Sequence, residues 1–223
     1  MIRLYDYALS GNCYKVRLLL RWLELEYETV CVDFYPGFEH RGEAFLEVNP
    51  LGQIPVIEDE GVTIRDAQAI LVHLAGNYDK SGKWYPLKQP NLLGPIHSWL
   101  AFADGLTATC SAARLHDAMF MDVDIDKARN GAERLLRILD EHLWFRERDG
   151  ADWLCGSDHP TIADIACFPY VALSEEGGIP QLPYPAIQRW MERFQRIEKF
   201  EPMAGMMPLA MPASDRIAGN TGG

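Results

Sequence analysis

Asn49-Pro50-Leu51-Gly52-Gln53-Ile54-Pro55-Val56-Ile57 is a turn that runs into a short apolar strand opening on a proline. Pro55 has no N–H to give to a ladder, which confines it to a strand start, an edge or a bulge. Ile54, immediately before it, is pushed into an extended conformation. An extended residue whose N–H and C=O are not used by a sheet can pair with an outside peptide, as in strand addition. The stretch reads as a docking edge for a small peptide-like ligand or as an ordinary turn before a strand. The residues around it decide between the two.

Upstream, Ile2 to Tyr7 reads as a strand. From Asn12 the period changes, because Val16, Leu19, Leu20 and Leu23 fall at i, i+3, i+4 and i+7 on one helical face. Tyr27 to Val32 is short and β-rich, and Phe34-Tyr35-Pro36-Gly37 breaks it; a short helix is expected over Gly42 to Val48. Downstream, Pro55 to Glu58 and Val62 to Arg65 read as two strands turning at Asp59-Glu60-Gly61. Asp66 then caps a helix running through Ile70, Leu71 and Leu74. The order is β-α-β followed by β-β-α.

After Lys80-Ser81-Gly82-Lys83 and Pro86 the strand signals stop. Ile96, Trp99, Leu100, Ala103 and Leu106 mark one long helix, and Ala132, Leu135, Leu136, Leu139 and Leu143 mark another. Thr161-Ile162-Ala163-Asp164 has the layout of a capping box, and Ile187, Trp190, Met191 and Phe194 supply a last amphipathic helix. The tail from Met203 is expected to be a loosely packed extension. The expected division is an α/β domain over 1–80, an all-α domain over 87–200 and a tail over 201–223.

Bulk properties narrow the function classes. A formal charge of −11 argues against nucleic acid, whose binding is driven by phosphate contacts, and disfavours anionic membranes. No apolar run approaches a membrane span, and the N-terminus goes directly into a strand pattern without a signal-peptide layout, so the expected location is cytoplasmic. Five scattered cysteines without a Cys-x-x-Cys read as reduced thiols, most of them in the core, and no histidine spacing suggests a metal.

Ser10-Gly11-Asn12 falls at the corner between the first strand and first helix. Such a corner aims hydroxyl, amide and free backbone N–H groups at one point and favours an anion there. Ser10, Asn12 or Asp66 acting only as an N-cap fits the same residues.

Taken in order, Ser10-x-Asn12, Asn49-Pro50-Leu51-Gly52 with Gln53-Ile54-Pro55, and Asp66-Ala67-Gln68-Ala69-Ile70 resemble the thioredoxin-fold domain of a cytosolic glutathione transferase, theta-like or bacterial nu-like. Thr161-Ile162-Ala163-Asp164-Ile165 is similar to the helix-capping motif of that family's all-α domain. The resemblance covers nearly the whole chain up to the tail. It implies a thioredoxin-like N-terminal domain plus an all-α C-terminal domain, working as a homodimer with glutathione as co-substrate and a small electrophile as second substrate. It also implies that Ile54 pairs its backbone with the cysteinyl unit, next to a cis Pro55. Asp66 and the backbone of Ala67 would hold the γ-glutamyl end, with His40 and Gln53 toward the glycyl carboxylate. Ser10 would be the hydroxyl near the sulfur, with Asn12 assisting or replacing it. Detoxification is the implied role. The resemblance leaves open a glutathione-dependent disulfide or peroxide reductase, or a non-catalytic binding protein.

Three positions depart from the family pattern. Ala67 stands where serine is usual, Gly11 where many relatives carry proline, and Ser10 where beta- and omega-like members have cysteine. Cys13, close by on the first helix, reads as a structural thiol, with a reactive role as the alternative.

The chemistry closes on paper. A free thiol has a pKa of about 8.5, and lowering it to about 6.5 takes roughly 2.7 kcal/mol of preference for the anion. A charge-assisted hydrogen bond from Ser10 supplies about 1.5–3 kcal/mol, and the helix N-terminus about 0.3–1 kcal/mol. That sum needs neither a charged lysine nor a metal. Phe102, Leu106, Cys110 and Tyr170 are candidates for the wall of the electrophile pocket, although apolar residues at helical spacing are more often core than pocket; Arg114 is placed to take an acidic substrate or to lie on a solvated face.

Overall fold

The computed structural model describes residues 1–206. Four strands, β1 (Ile2–Asp6), β2 (Tyr27–Cys31), β3 (Val56–Asp59) and β4 (Val62–Arg65), form one sheet in the order β2-β1-β3-β4. β1 pairs parallel with β2 and antiparallel with β3, and β3 turns back antiparallel onto β4. Each strand lies within one residue of the range its sequence predicts. The β1–β3 ladder begins with Tyr5 opposite Val56, one residue beyond Pro55, so the missing N–H costs the sheet nothing.

Helices α1 (Gly11–Trp22) and α3 (Ala67–Tyr78) pack against each other over the sheet, burying Val16, Leu19 and Leu20 of one and Ile70, Leu71 and Leu74 of the other. A smaller cluster of Cys13, Val32, Phe45, Ile54 and Val56 includes Phe45 of the short helix α2 (Glu43–Val48). The turn that leads into β3 hangs on one buried side chain. Asn49 accepts the N–H of Leu51 at 3.1 Å and donates to the carbonyl of Gln53 at 2.7 Å. Gly52 takes φ +59°, and a Cβ there would stand 3.0 Å from the His40 carbonyl oxygen, so both conformation and space call for glycine.

The second half is helical. α4 (Pro90–Leu106) runs through a π-helical turn at Thr107–Ser111 into α5 (Ala112–Met119), followed by α6 (Ile125–Arg148), α7 (Ile162–Ala172) and α8 (Pro185–Gln195). α7 is buried on every side and packs on α4, α1 and α3, joining the halves into one continuous core. Its capping box is formed as the sequence predicts: Thr161 Oγ1 accepts from Ala163 N–H, and Asp164 Oδ2 accepts from Thr161 N–H at 2.8 Å. The other Asp164 oxygen accepts from Leu154 N–H and Trp190 Nε1, both at 3.1 Å, which the motif alone does not reveal.

The expectation for the tail is corrected where it can be tested. Met203 and Met206 are buried, and Tyr14 and Trp22 donate to the carbonyls of Glu201 and Glu198, so this segment returns onto α1. The remainder of that expectation lies outside the described residues.

Candidate functional site

A cleft of about 420 Å³ opens where the start of α1, the turn before β3 and the start of α3 face the α4–α5 rod. Ser10, Asn12, Gln53, Ile54, Asp66 and Ala67 all line it. Three local devices bring these residues to one place.

Ser10 is the N-cap of α1. Its hydroxyl oxygen accepts the N–H of Cys13 at 3.2 Å, which satisfies one of the orphan donors of the helix end. The hydroxyl proton is not consumed by that bond. Two residues on, the Asn12 side-chain oxygen is buried without a partner among the described residues. A buried amide lacking its bonds is costly, and at this position a ligand can supply them.

Ile54 precedes a cis bond to Pro55. Its backbone N–H and C=O enter no hydrogen bond among the described residues, leaving one donor and one acceptor at the edge of the cleft. Asp66 caps α3, accepting from Ala69 N–H at 2.9 Å, and does so at φ +77°. A non-glycine residue held there costs on the order of 1–3 kcal/mol, and such strain collects at functional sites. The strained turn sets a carboxylate and the open end of a helix side by side, a combination suited to the ammonium and carboxylate of an amino-acid moiety.

The facing wall is built on an unusual stretch of helix. Asp104, Thr107, Ala108, Ser111, Arg114 and Leu115 line the cleft from α4, the π-helical turn and α5. π-Helical turns inside a continuous helix are frequent at functional sites. Burial and the nearby Asp66 push the Asp104 carboxyl up, while the amide of Gln68 donates to it. Cys13, fully enclosed behind Ser10, has its thiol pushed up to about 12 by burial, which makes it inert as a nucleophile at neutral pH.

The glutathione S-transferase N-terminal domain model matches residues 4–82, and the glutathione S-transferase C-terminal domain model matches residues 122–193. A glutathione S-transferase structure from Pseudomonas fluorescens Pf-5 superposes with a TM-score of 0.79 at 31% identity, covering 91% of this chain and 98% of that one. The chain belongs to the glutathione S-transferase family. It is also 29% identical to the disulfide-bond oxidoreductase YfcG of Escherichia coli K12 over 87% of this chain and 90% of that protein. A structure described as Ure2p in complex with glutathione aligns with a TM-score of 0.74 at 27% identity, covering 88% of this chain and 95% of that one.

Within this glutathione transferase fold of thioredoxin-like and helical parts, several residues stand elsewhere than the sequence suggests. His40 does not line the cleft; it is buried, stacked 4.0 Å from the ring of Phe34, which does. Of the expected electrophile wall only Tyr170 lines the cleft. Leu106 and Cys110 lie in the core and Phe102 packs against it, as apolar residues at helical spacing usually do. Arg114 is neither a solvated face nor an unengaged cation: it is 5% exposed, donates to the Leu9 carbonyl at 2.7 Å and is paired with Glu176. It ties the two halves together.

Lys15 was not singled out by sequence. The apolar stripe of α1 suggests one buried face, but the helix is enclosed almost all round and Lys15 is completely buried. No spacing rule identifies such a lysine; the contact of α7 with α1 creates it.

Proposed function

We propose that the cleft binds glutathione and that the protein transfers its thiolate to a small electrophile. The observation that carries this reading is that Ser10, whose oxygen serves the helix, lines the same cleft as the Ile54 backbone, unpaired among the described residues, and the Asp66 carboxylate, and its proton would turn to a sulfur placed there. Ile54 would pair with the cysteinyl backbone, Asp66 and the Ala67 N–H with the γ-glutamyl end, and Gln53 with the opposite end. His40 would act through Phe34. The thiolate attacks the electrophilic carbon, the sulfur–carbon bond forms, and the leaving group departs or the ring opens. Ser10 and Asn12 hold the negative charge until that point. The absence of a serine hydroxyl at Ala67 costs one contact and leaves its backbone N–H available.

A second reading, disulfide reduction, has a specific observation in its favour beside the likeness to YfcG. Enclosure of Cys13 leaves no reactive protein thiol beside Ser10, so a mixed disulfide would form on glutathione itself. Glutathione thiolate would displace one half of the disulfide, and a second glutathione would release the other half, giving glutathione disulfide and two thiols.

The test is turnover. Steady conversion of an aryl halide with glutathione supports transfer, and turnover of a small disulfide with little aryl-halide activity supports reduction. Saturable glutathione binding with neither activity would sink the enzymatic reading. Operation as a cytoplasmic homodimer in detoxification belongs to the same proposal, checked by sedimentation and by localisation of the tagged chain.

A further inference from the structure

One side chain of the helical half reaches into the corner formed by Ser10 and Asn12. Tyr170 on α7 is 4% exposed, and its hydroxyl oxygen accepts the backbone N–H of Asn12 at 3.2 Å. Its ring presses on the preceding residue so closely that a Cβ on Gly11 would sit 2.6 Å from Cε1 and 2.9 Å from Cζ. That contact gives Gly11 a physical reason where relatives carry proline.

The ring is braced by Lys15, whose Nζ stands 5.2 Å from its centroid. Lys15 is completely buried, and its ammonium has no hydrogen-bond partner among the described residues. A buried ammonium without partners opposes folding, so its retention asks for a compensating contact. The face of an aromatic ring supplies one. Burial pushes the Lys15 amine down to about 8, against Cys167, Asp104 and Asp66, which favour its charge.

We propose that Tyr170, braced by Lys15, is a positioning residue that closes over Gly11 and takes the Asn12 N–H, so that the helical half sets the geometry in which Ser10 and Asn12 meet the ligand. This rests on the glutathione reading of the same cleft. The bond from the Asn12 N–H to the phenol fixes the first turn of α1, and with it the places from which the side chains of Ser10 and Asn12 meet the sulfur. With its oxygen accepting from Asn12, the phenol keeps its proton to donate, and Tyr170 lines the same cleft as Ser111 of the facing wall.

The test uses the full chain and two substitutions that keep size nearly constant, Tyr170→Phe and Lys15→Met. Tyr170→Phe keeps the ring but leaves the Asn12 N–H without its acceptor. The apparent pKa of bound glutathione thiol, followed by ultraviolet difference absorbance, is expected to rise by about half to one pH unit. The kcat/KM at pH 6.5 falls by about two- to sixfold in step with the lost thiolate, while activity at pH 9 changes by less than about twofold. Lys15→Met moves the same quantities in the same direction, and the double variant shows less than the sum because both act through one ring.

A parent protein with a lowered thiol pKa and a Tyr170→Phe variant with an identical titration would overturn the positioning role and leave the glutathione reading intact. A parent that binds glutathione without lowering its thiol pKa would overturn both. Additive effects in the double variant would overturn the bracing by Lys15.

Discussion

Ser10 Oγ and the backbone N–H of Cys13 meet at 3.2 Å, and that single bond joins the stability of α1 to the chemistry of the cleft. Ser10→Ala is expected to lose two things at once. Unfolding in urea should show a loss of about 0.5–2 kcal/mol for the missing cap. The thiolate-dependent kcat/KM at pH 6.5 should fall at least about tenfold, because the charge-assisted bond is worth about 1.5–3 kcal/mol. Ser10→Thr keeps both functions of the hydroxyl and should stay within about threefold of the parent in rate. A stability loss with unchanged kinetics would reduce Ser10 to a cap.

Lys15→Met should separate stability from function. The folded-state pKa of Lys15 is depressed from 10.5 to about 8, so the unfolded chain holds the proton more tightly. For a depressed base, stability is complete above the unfolded value and is lost as pH falls through the folded one. Replacing the amine by a methyl thioether therefore stabilises the protein at pH 7, by about 1–4 kcal/mol on the scale of other buried charges replaced by apolar groups. The gain shrinks between pH 8 and 10.5. Urea midpoints across that range check it, and a destabilised variant at pH 7 would show that the ammonium is better accommodated than its lack of partners suggests.

The local signals in this chain were legible because each rests on short-range physics. Pro55, Asp66 and Thr161 act on their immediate neighbours, so the turn before β3 and the caps of α3 and α7 follow from spacing alone. The contents of the electrophile side were not legible. The helical period puts Leu106 and Cys110 in the core, where they lie, while the small or polar Asp104, Thr107, Ala108 and Ser111 of the adjacent face line the cleft without any apolar signal to mark them. Arg114 and Lys15 carry charge, which in a sequence reads as exposure. Only the packing of α5 against Ser174–Gly177 and of α7 against α1 reveals both as buried.

Asp164 is expected to be the costliest polar position in the helical half. Its carboxylate is completely buried and receives Thr161 N–H, Leu154 N–H and the Trp190 indole. Asp164→Ala strands those donors in the core, with an expected loss of about 3–5 kcal/mol. Urea unfolding followed by tryptophan fluorescence measures it, and a loss below about 1 kcal/mol would contradict this role.

Mild acid should weaken the fold. Burial lowers the pKa of His142, His159 and His40 below 6.5. With folded values below unfolded ones, the unfolded chain takes up more protons, and stability present above about pH 6.5 is lost as pH falls through the folded values. The urea midpoint should drop between pH 7 and pH 5, and His142→Gln with His159→Gln should flatten the slope. An unchanged slope in that double variant would assign the acid sensitivity to other groups.

The most direct test of the account is titration of the thiolate absorbance of glutathione bound to the parent protein. The account requires an apparent thiol pKa of about 6–7, against about 8.5 for the free thiol, rising by at least about one unit in Ser10→Ala. A bound thiol that titrates like the free tripeptide would contradict it.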